Sequence, residues 1–427
     1  MRNSFFLVFL IFLLGCVKAS LAPNSPITPT PVVTIPNAPT DVKGVLSAPT
    51  QIDLTWTDAS NNEDGFKIER KSGTDAYSLL TTLGQNILTY SDKGLNVGTN
   101  YTYRVYSYNT KGNSSNSNEI TIKAEVKLDN LSWTKVSTGY CWRVIPNIDS
   151  TVLFLSRATD VLKSTNFGVD FISTGFSFPV IRESLGTVSG GAYSNFNGGQ
   201  LVIAGMDKGY YMSNNNAVSF ASTGPMGFGC GSQSILALND GRFIGSMAGF
   251  QRGIYKSSGT DNQTWVNKYP GLDPNDFSQS NNIIFSATAG TQGGNGFILK
   301  STNQGETWTN ELSSSASSGF ICDVELLNDT LFFINSKGNF YASSISSINT
   351  NSLRSNIPTS AYIDCVYSGI YKVFVAVSDN SGIYISNNRG LTWTRYTIPG
   401  VTVYNKVSIV KNKIFVSTTT GLYSTTL

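Results

Sequence analysis

The chain has 427 residues, 40% hydrophobic and 13% charged, with 30 basic against 27 acidic side chains and a formal net charge of +3. That length accommodates two or three domains with their own cores, and the near-balanced charge, with no Lys/Arg-rich run, excludes a nucleic-acid surface built on phosphate neutralisation. Histidine is absent, which removes Ser-His-Asp and Cys-His nucleophiles and the usual imidazole zinc site; no residue pattern points to a metal or organic cofactor.

Polarity comes from Ser, Thr, Asn and Gly, which favour turns and strands over helices. No long segment has a 3.6-residue apolar period, so the expected fold is all-β. At the N-terminus, Arg2 precedes an apolar run from Phe5 to Leu14. A bilayer span takes about 20 residues, so the run is too short to cross and suits a signal-peptide core. It ends Leu13-Leu14-Gly15-Cys16, which resembles a bacterial lipobox. The resemblance implies that 1–16 is a lipoprotein signal ending in a lipidated Cys16, with ordinary secretion as the alternative. The expectation is an extracytoplasmic, monomeric protein of the bacterial cell envelope, on the outer membrane or cell surface, held to the membrane by lipid without spanning it. Residues 17–35, with Pro23, Pro26, Pro29 and Pro31, read as an extended tether.

Residues 36–124 carry strand-like alternation at Ile52, Leu54 and Trp56 and again at Phe66 and Ile68. Leu95, Gly98, Thr99 and Tyr101 then follow in the spacing of a tyrosine corner, and Asn109 to Ser114 in that of a hairpin turn. This order of motifs resembles a fibronectin type III β-sandwich, which implies that Trp56 is the core tryptophan and that the Tyr101 hydroxyl bonds back to the chain. In secreted proteins such a module is mostly a spacer.

From 128 to 427 one pattern recurs: Ser301 to Trp308, Ser386 to Trp393, and weaker copies at Ser164 to Phe171, Ser213 to Phe220 and Ser258 to Trp265. Asn166, Asn215, Asn303 and Asn388 stand at the third position, where a short polar side chain can accept backbone N–H bonds. Ala217 and Asn262 replace the usual glycine in two copies. The pattern resembles the Asp-box, or BNR repeat. Its near-regular spacing, with a degenerate unit near Ser343, predicts a β-propeller. The last strand, Gly421 to Ser424, lacks a partner aromatic strand, while Leu131-Ser132-Trp133-Thr134 at the start mimics Leu391-Thr392-Trp393-Thr394. One blade shared between the termini gives seven.

Propeller sites lie at a mouth of the central channel, fed by the innermost strands. Aligning the repeats assigns those strands to Tyr140 to Arg143, Val180 to Glu183, Phe228 to Cys230, Asn275 to Phe277, Ile321 to Asp323, Ile363 to Cys365 and Tyr404 to Lys406. A basic arc of Lys406, Arg143 and Arg182 then faces an acidic arc of Asp276, Asp323 and Asp364, with Tyr140 and Trp142 as a stacking face. Such charges either satisfy one another in a wet channel or bind a sugar, a peptide or an ion. Cys141, Cys230, Cys322 and Cys365 read as small buried residues, since neighbouring blades stand about 10 Å apart and a disulfide needs Cα atoms within about 7 Å.

The Asp-box resemblance points to sialidases, and Trp142 to Pro146 loosely echoes their Phe-Arg-Ile-Pro motif, but Arg143, Arg182, Arg389 and Arg395 do not assemble an arginine triad. Asp323 and Asp364 are weak candidates for a two-carboxylate glycosidase, whose carboxyl groups stand about 5–9.5 Å apart. The favoured reading is a non-catalytic binding protein for a glycan or a protein, with Tyr140, Trp142, Arg143, Arg182 and Lys406 as the binding residues.

Overall fold

The computed structural model describes residues 33–129, 131–157, 159–177, 188–195, 198–205, 209–224, 234–259, 261–289, 295–314, 319–358 and 363–427. Cys16, the lipobox and most of the tether lie outside them.

The first domain is a sandwich of a three-stranded sheet and a five-stranded sheet. Alternation puts Ile52, Leu54 and Trp56 of one sheet against Phe66, Ile68, Tyr103 and Val105 of the other. The Tyr101 hydroxyl accepts the Asn96 N–H at 2.8 Å, the expected tyrosine corner. Arg70 pairs with the buried Asp92, whose carboxylate also accepts the Tyr103 hydroxyl.

Seven four-stranded antiparallel sheets follow. Blade 1 comprises Cys141–Pro146, Leu153–Arg157, Asp160–Ser164 and Ile172–Ser177; blade 2, Val188–Ser194, Gln200–Gly205, Gly209–Ser213 and Ala221–Thr223. Blade 3 comprises Ile235–Ala237, Phe243–Met247, Gly253–Ser258 and Thr264–Pro270; blade 4, Asp273–Ser280, Ile283–Ala289, Gly296–Ser301 and Thr309–Ser313. Blade 5 comprises Ile321–Leu327, Thr330–Asn335, Asn339–Ser344 and Ser352–Asn356; blade 6, Ile363–Ser368, Val373–Ser378, Gly382–Ser386 and Thr394–Tyr396. Blade 7 joins Tyr404–Val410, Lys413–Thr418 and Gly421–Thr426 to Thr134–Thr138, with Leu422 opposite Ser137 and Ser424 opposite Thr134. Each first strand packs against that of the next blade, and blade 7 against blade 1, so the ring closes.

The recurrent octapeptide is the turn between the third and fourth strands. In blade 4 the Ser301 hydroxyl accepts the Gly305 N–H (2.8 Å), and Asn303 Oδ1 accepts the Thr307 N–H (3.0 Å) while its amide donates to the Thr307 hydroxyl. Blade 6 repeats this at Ser386, Asn388, Gly390 and Thr392. The glycines meet two demands: a left-handed φ, and room for the preceding blade. A Cβ on Gly305 would lie 2.2 Å from Ile244, and one on Gly390 would lie 2.1 Å from Phe340. Blade 3 departs from the expected register, because its buried serine is Ser257, not Ser258. The turn is one residue longer, and Asn262 fills the glycine's place by donating to Gln200 of blade 2 at 2.7 Å. In blade 5 the turn is replaced by a short 3-10 helix, Ile348–Thr350, with Ile348 buried in the core.

The first domain is not detached from the ring. Val97 and Val126 lie in one apolar cluster with Val373, Ile383, Ile398 and Val407 of blades 6 and 7, and the hydroxyl of Tyr396 donates to the carbonyl of Leu128.

Gly390 and Gly400 share a φ of +76°, but a Cβ at Gly400 meets nothing within 4 Å. Gly400→Ala therefore costs only the left-handed strain, about 1–2 kcal/mol, whereas Gly390→Ala adds an overpacking penalty of about 1–3 kcal/mol. Thermal melts of both variants check this: equal losses would show that the turn does not set the blade spacing.

Candidate functional site

A first strand is the inner edge of its blade, and one side of its backbone has no sheet partner. Side chains of the preceding blade supply bonds there. Asp323 Oδ2 in blade 5 accepts the Cys365 N–H of blade 6 at 3.0 Å, and Asp364 Oδ2 in blade 6 accepts the Val407 N–H of blade 7 at 2.8 Å. Two residues further along the strand, on the same face by β alternation, Glu325 accepts the Tyr367 N–H and the Ser278 hydroxyl. Ser278 accepts the Leu326 N–H and Ser408 donates to the Val144 carbonyl. Asn275 and Asn405 donate to Ile321 and Cys141 carbonyls at 2.7 and 2.8 Å.

The cations converge on one carboxylate. Arg143 of blade 1 reaches Asp364 Oδ1 at 2.8 Å and Lys406 of blade 7 reaches the same oxygen at 2.9 Å. Asp276 of blade 4 instead accepts the Ser234 hydroxyl at 3.0 Å. Burial disfavours charge on every one of these acids, and their neighbours decide the outcome. Asp364 is held below the usual carboxylate range, because Lys406 and Arg143 outweigh burial. Asp276 is lifted by burial to about 6 against the pull of Arg143. Glu325 is lifted to about 8 by burial and the repulsion of Asp276. Asp323 is pushed well up by burial and then by Asp276 and Asp364. Burial opposes the charge of Arg143, but Asp364, Asp276 and Asp323 together hold it more firmly cationic than usual.

Three of these groups, Arg143, Asp276 and Glu325, line a cavity of about 270 Å³, partly open to solvent, whose wall also includes Ile145, Tyr193 and Val366. Of the residues that the sequence placed on opposing arcs, Arg143 and Asp276 line this cavity, Arg143 and Lys406 meet at Asp364, and Asp323 bonds to blade 6. Arg182 lies outside the described residues, as does Cys230; the first described strand of blade 2 is Val188–Ser194 and that of blade 3 is Ile235–Ala237. Tyr140 and Trp142 contact each other with ring centroids 5.5 Å apart but do not line this cavity. Glu325 escaped the sequence reading, although its signal was present, two residues beyond Asp323 on the same strand. Among the described residues no disulfide forms, and Cys141, Cys322 and Cys365 are buried. Burial lifts the Cys141 and Cys322 thiols to about 12. No group of His, Cys, Asp and Glu among the described residues could hold a metal ion, and none of their helices is long and apolar enough to cross a membrane.

Residues 37–123 match the family model for the fibronectin type III domain. No curated protein matches the chain. Among solved structures, the chain is similar to YCF48 bound to D1 peptide, at 13% identity and a TM-score of 0.53, covering 71% of this chain and 96% of that one. It is also similar to the extracellular domain of the hybrid two-component-system protein BT4673 from B. thetaiotaomicron, at 10% identity and a TM-score of 0.52, covering 69% of this chain and 40% of that one. At these identities the likeness establishes the propeller fold alone.

The two carboxyls carry opposite pH signatures. Asp364, with a depressed pKa, stabilises the fold above the ordinary carboxylate range, and that contribution is lost on acidification. Removing its charge strands Arg143 and Lys406, so Asp364→Asn costs about 3–5 kcal/mol. Glu325 takes up a proton on folding between about 4.5 and about 8, so it makes stability fall as pH rises through that window. Glu325→Gln removes this loss. Thermal melts of wild type and variant at about pH 5, 7 and 9 should show a stability difference that moves in the variant's favour up to about pH 8 and then levels; a pH-independent difference would refute the assignment.

Proposed function

We propose that this chain is a lipid-anchored cell-envelope protein that binds an extracytoplasmic protein or glycan through its propeller surface and performs no catalysis. One observation carries the non-catalytic part. The carboxylates that a two-carboxylate hydrolase would need, Asp323 and Asp364, are 2% and 3% exposed and each accepts a backbone N–H of the next blade. A catalytic acid must reach the bond it protonates and exchange protons freely. These two instead hold blades together, and moving either would open an inter-blade contact. The alternative, a sialidase-like or two-carboxylate glycoside hydrolase, has no such support.

The binding part rests on architecture. A seven-bladed ring with a charged, partly open channel offers a broad surface, and the structural neighbour YCF48 is described with a bound peptide. The anchor rests on Leu13-Leu14-Gly15-Cys16 at the end of the apolar run. The fibronectin type III domain and the tether would then set the ring's distance from the membrane.

The test joins three measurements. Radiolabelled palmitate should mark wild type and not Cys16→Ser. Residues 20–427, applied to glycan arrays and to extracytoplasmic protein fractions, should retain one ligand class, and Trp142→Ala should weaken that binding by about tenfold or more, the loss of roughly 1.4 kcal/mol. Fluorogenic glycosides, sialosides included, should not be turned over. Turnover abolished by Asp323→Asn or Asp364→Asn would replace this reading with the hydrolase.

A further inference from the structure

Among the described residues the channel holds four carboxyl groups, Asp276, Asp323, Glu325 and Asp364, against two cations, an excess of groups that becomes an excess of charge only as Glu325 loses its proton at about pH 8 and Asp323, also pushed up by burial, ionises. Two cations, Arg143 and Lys406, are both committed to one oxygen of Asp364. Asp276, Asp323 and Glu325 have no salt-bridge cation among the described residues, so the inner ring carries more acid than base. Glu325 is engaged at both oxygens, by the Tyr367 N–H and the Ser278 hydroxyl, while Asp323 accepts a single N–H, from Cys365, and does not line the cavity. Asp276 is different. It is only 8% exposed, its Oδ1 accepts the Ser234 hydroxyl, and its Oδ2 has no hydrogen-bond partner among the described residues while the side chain lines the cavity.

The rest of the wall is apolar where it passes Ile145, Ala192, Val366 and Ile409. At about 270 Å³ the cavity falls just below the roughly 300–1,000 Å³ of pockets for drug-sized molecules. A mixed wall that offers these apolar side chains beside a carboxylate oxygen without a hydrogen-bond partner among the described residues is the complement of an amphipathic cationic side chain, whose methylene stem lies on apolar surface while its head seeks charge. The charge of Arg143 on the same wall is already opposed by Asp364, although its Nε has no hydrogen-bond partner among the described residues, so an anion is the direct competitor that the test must exclude.

We propose that the channel cavity receives the protonated lysine or arginine side chain of a partner protein, with Asp276 as its counter-ion. The inference rests on the binding reading and names the chemistry of its ligand. Glu325 couples the site to pH. It faces Asp276 and Ser278 of blade 4, and Asp364, Cys365 and Tyr367 of blade 6, with Asp323 on its own strand and Arg143 and Lys406 across the channel. A cation entering among these groups favours the ionised carboxylates, so binding releases protons and tightens as pH rises toward 8.

The test uses the full chain in detergent and four small probes: butylguanidinium, butylammonium, butanol and butyrate. Titration calorimetry should find the two cations bound and the neutral and anionic probes weaker by about tenfold or more, as expected when a charge-assisted bond is lost. Cation affinity should rise between about pH 6 and 8. Asp276→Asn, which keeps the Ser234 bond, should weaken the cations by a similar factor with an unchanged melting temperature. Glu325→Gln, an independent variant should the first not fold, should bind cations with a flatter pH profile. Equal binding of butanol or butyrate, or cation affinity unaffected by Asp276→Asn, would overturn the proposal. A ligand captured on the arrays by a chain that ignores all four probes would overturn this site and leave the broader binding reading standing.

Discussion

The ring depends on what happens at the inner edge of each blade. A four-stranded sheet has two edges, and unpaired backbone groups on a buried edge are costly. The outer edge faces solvent. The inner edge faces the channel and the neighbouring blade, where space for water is limited. This chain meets that cost with side chains. Asp323, Asp364 and Glu325 accept N–H groups of the next blade, while Asn275, Asn405 and Ser408 donate to carbonyls. A carboxyl group does this well because it has several acceptor positions, and at Asp364, held ionised by Lys406 and Arg143, charge strengthens the bond.

That solution has an electrostatic consequence. Carboxylates placed for backbone N–H groups are brought close together in a buried ring, and they repel. Some of the repulsion is relieved by Arg143 and Lys406 on Asp364, and some by protons retained on Asp323 and Glu325. The relief is uneven because the acids come from blades 4, 5 and 6 while the cations come from blades 7 and 1. The polarity of the cavity is thus a by-product of how the blades are latched.

The fold was legible from the sequence because its determinants are local and repeated. A turn that needs Ser, Asn and a left-handed glycine leaves the same trace in each blade, and the tyrosine corner is written in seven consecutive positions from Leu95 to Tyr101. The shared seventh blade could also be read, since Trp133 and Thr134 copy Trp393 and Thr394. The site was legible in part. Asp276, Asp323, Asp364, Arg143 and Lys406 fall at one repeat position, so alignment found them. Glu325 lies off that position and needed the strand's two-residue period. Blade 3 departs where one residue alters the turn: the repeat starts its copy at Ser258, whereas Ser257 is the buried serine that bonds to Asn262, with the loop one residue longer. The disposition of Tyr140 and Trp142 was beyond reach, because the bulge between Cys141 and Arg143 changes which way successive side chains point.

The connection between the domains fixes how the ring can close. The strand that completes blade 7, Thr134–Thr138, is the first propeller strand in the chain, and its partner, Gly421–Thr426, is the last. Such a pairing carries the largest loop-closure entropy available to this domain and forms only when the whole array is present. Val126, Leu128 and Leu131, just upstream, pack against the cluster of blades 6 and 7 together with Val97 from the first domain. The fibronectin type III domain therefore does more than precede the ring. By burying Val97 at the same place, it adds apolar contact at the seam where the ring is entropically weakest. It also orients blade 7, and with it the Lys406 side of the channel, relative to the sandwich that precedes the ring.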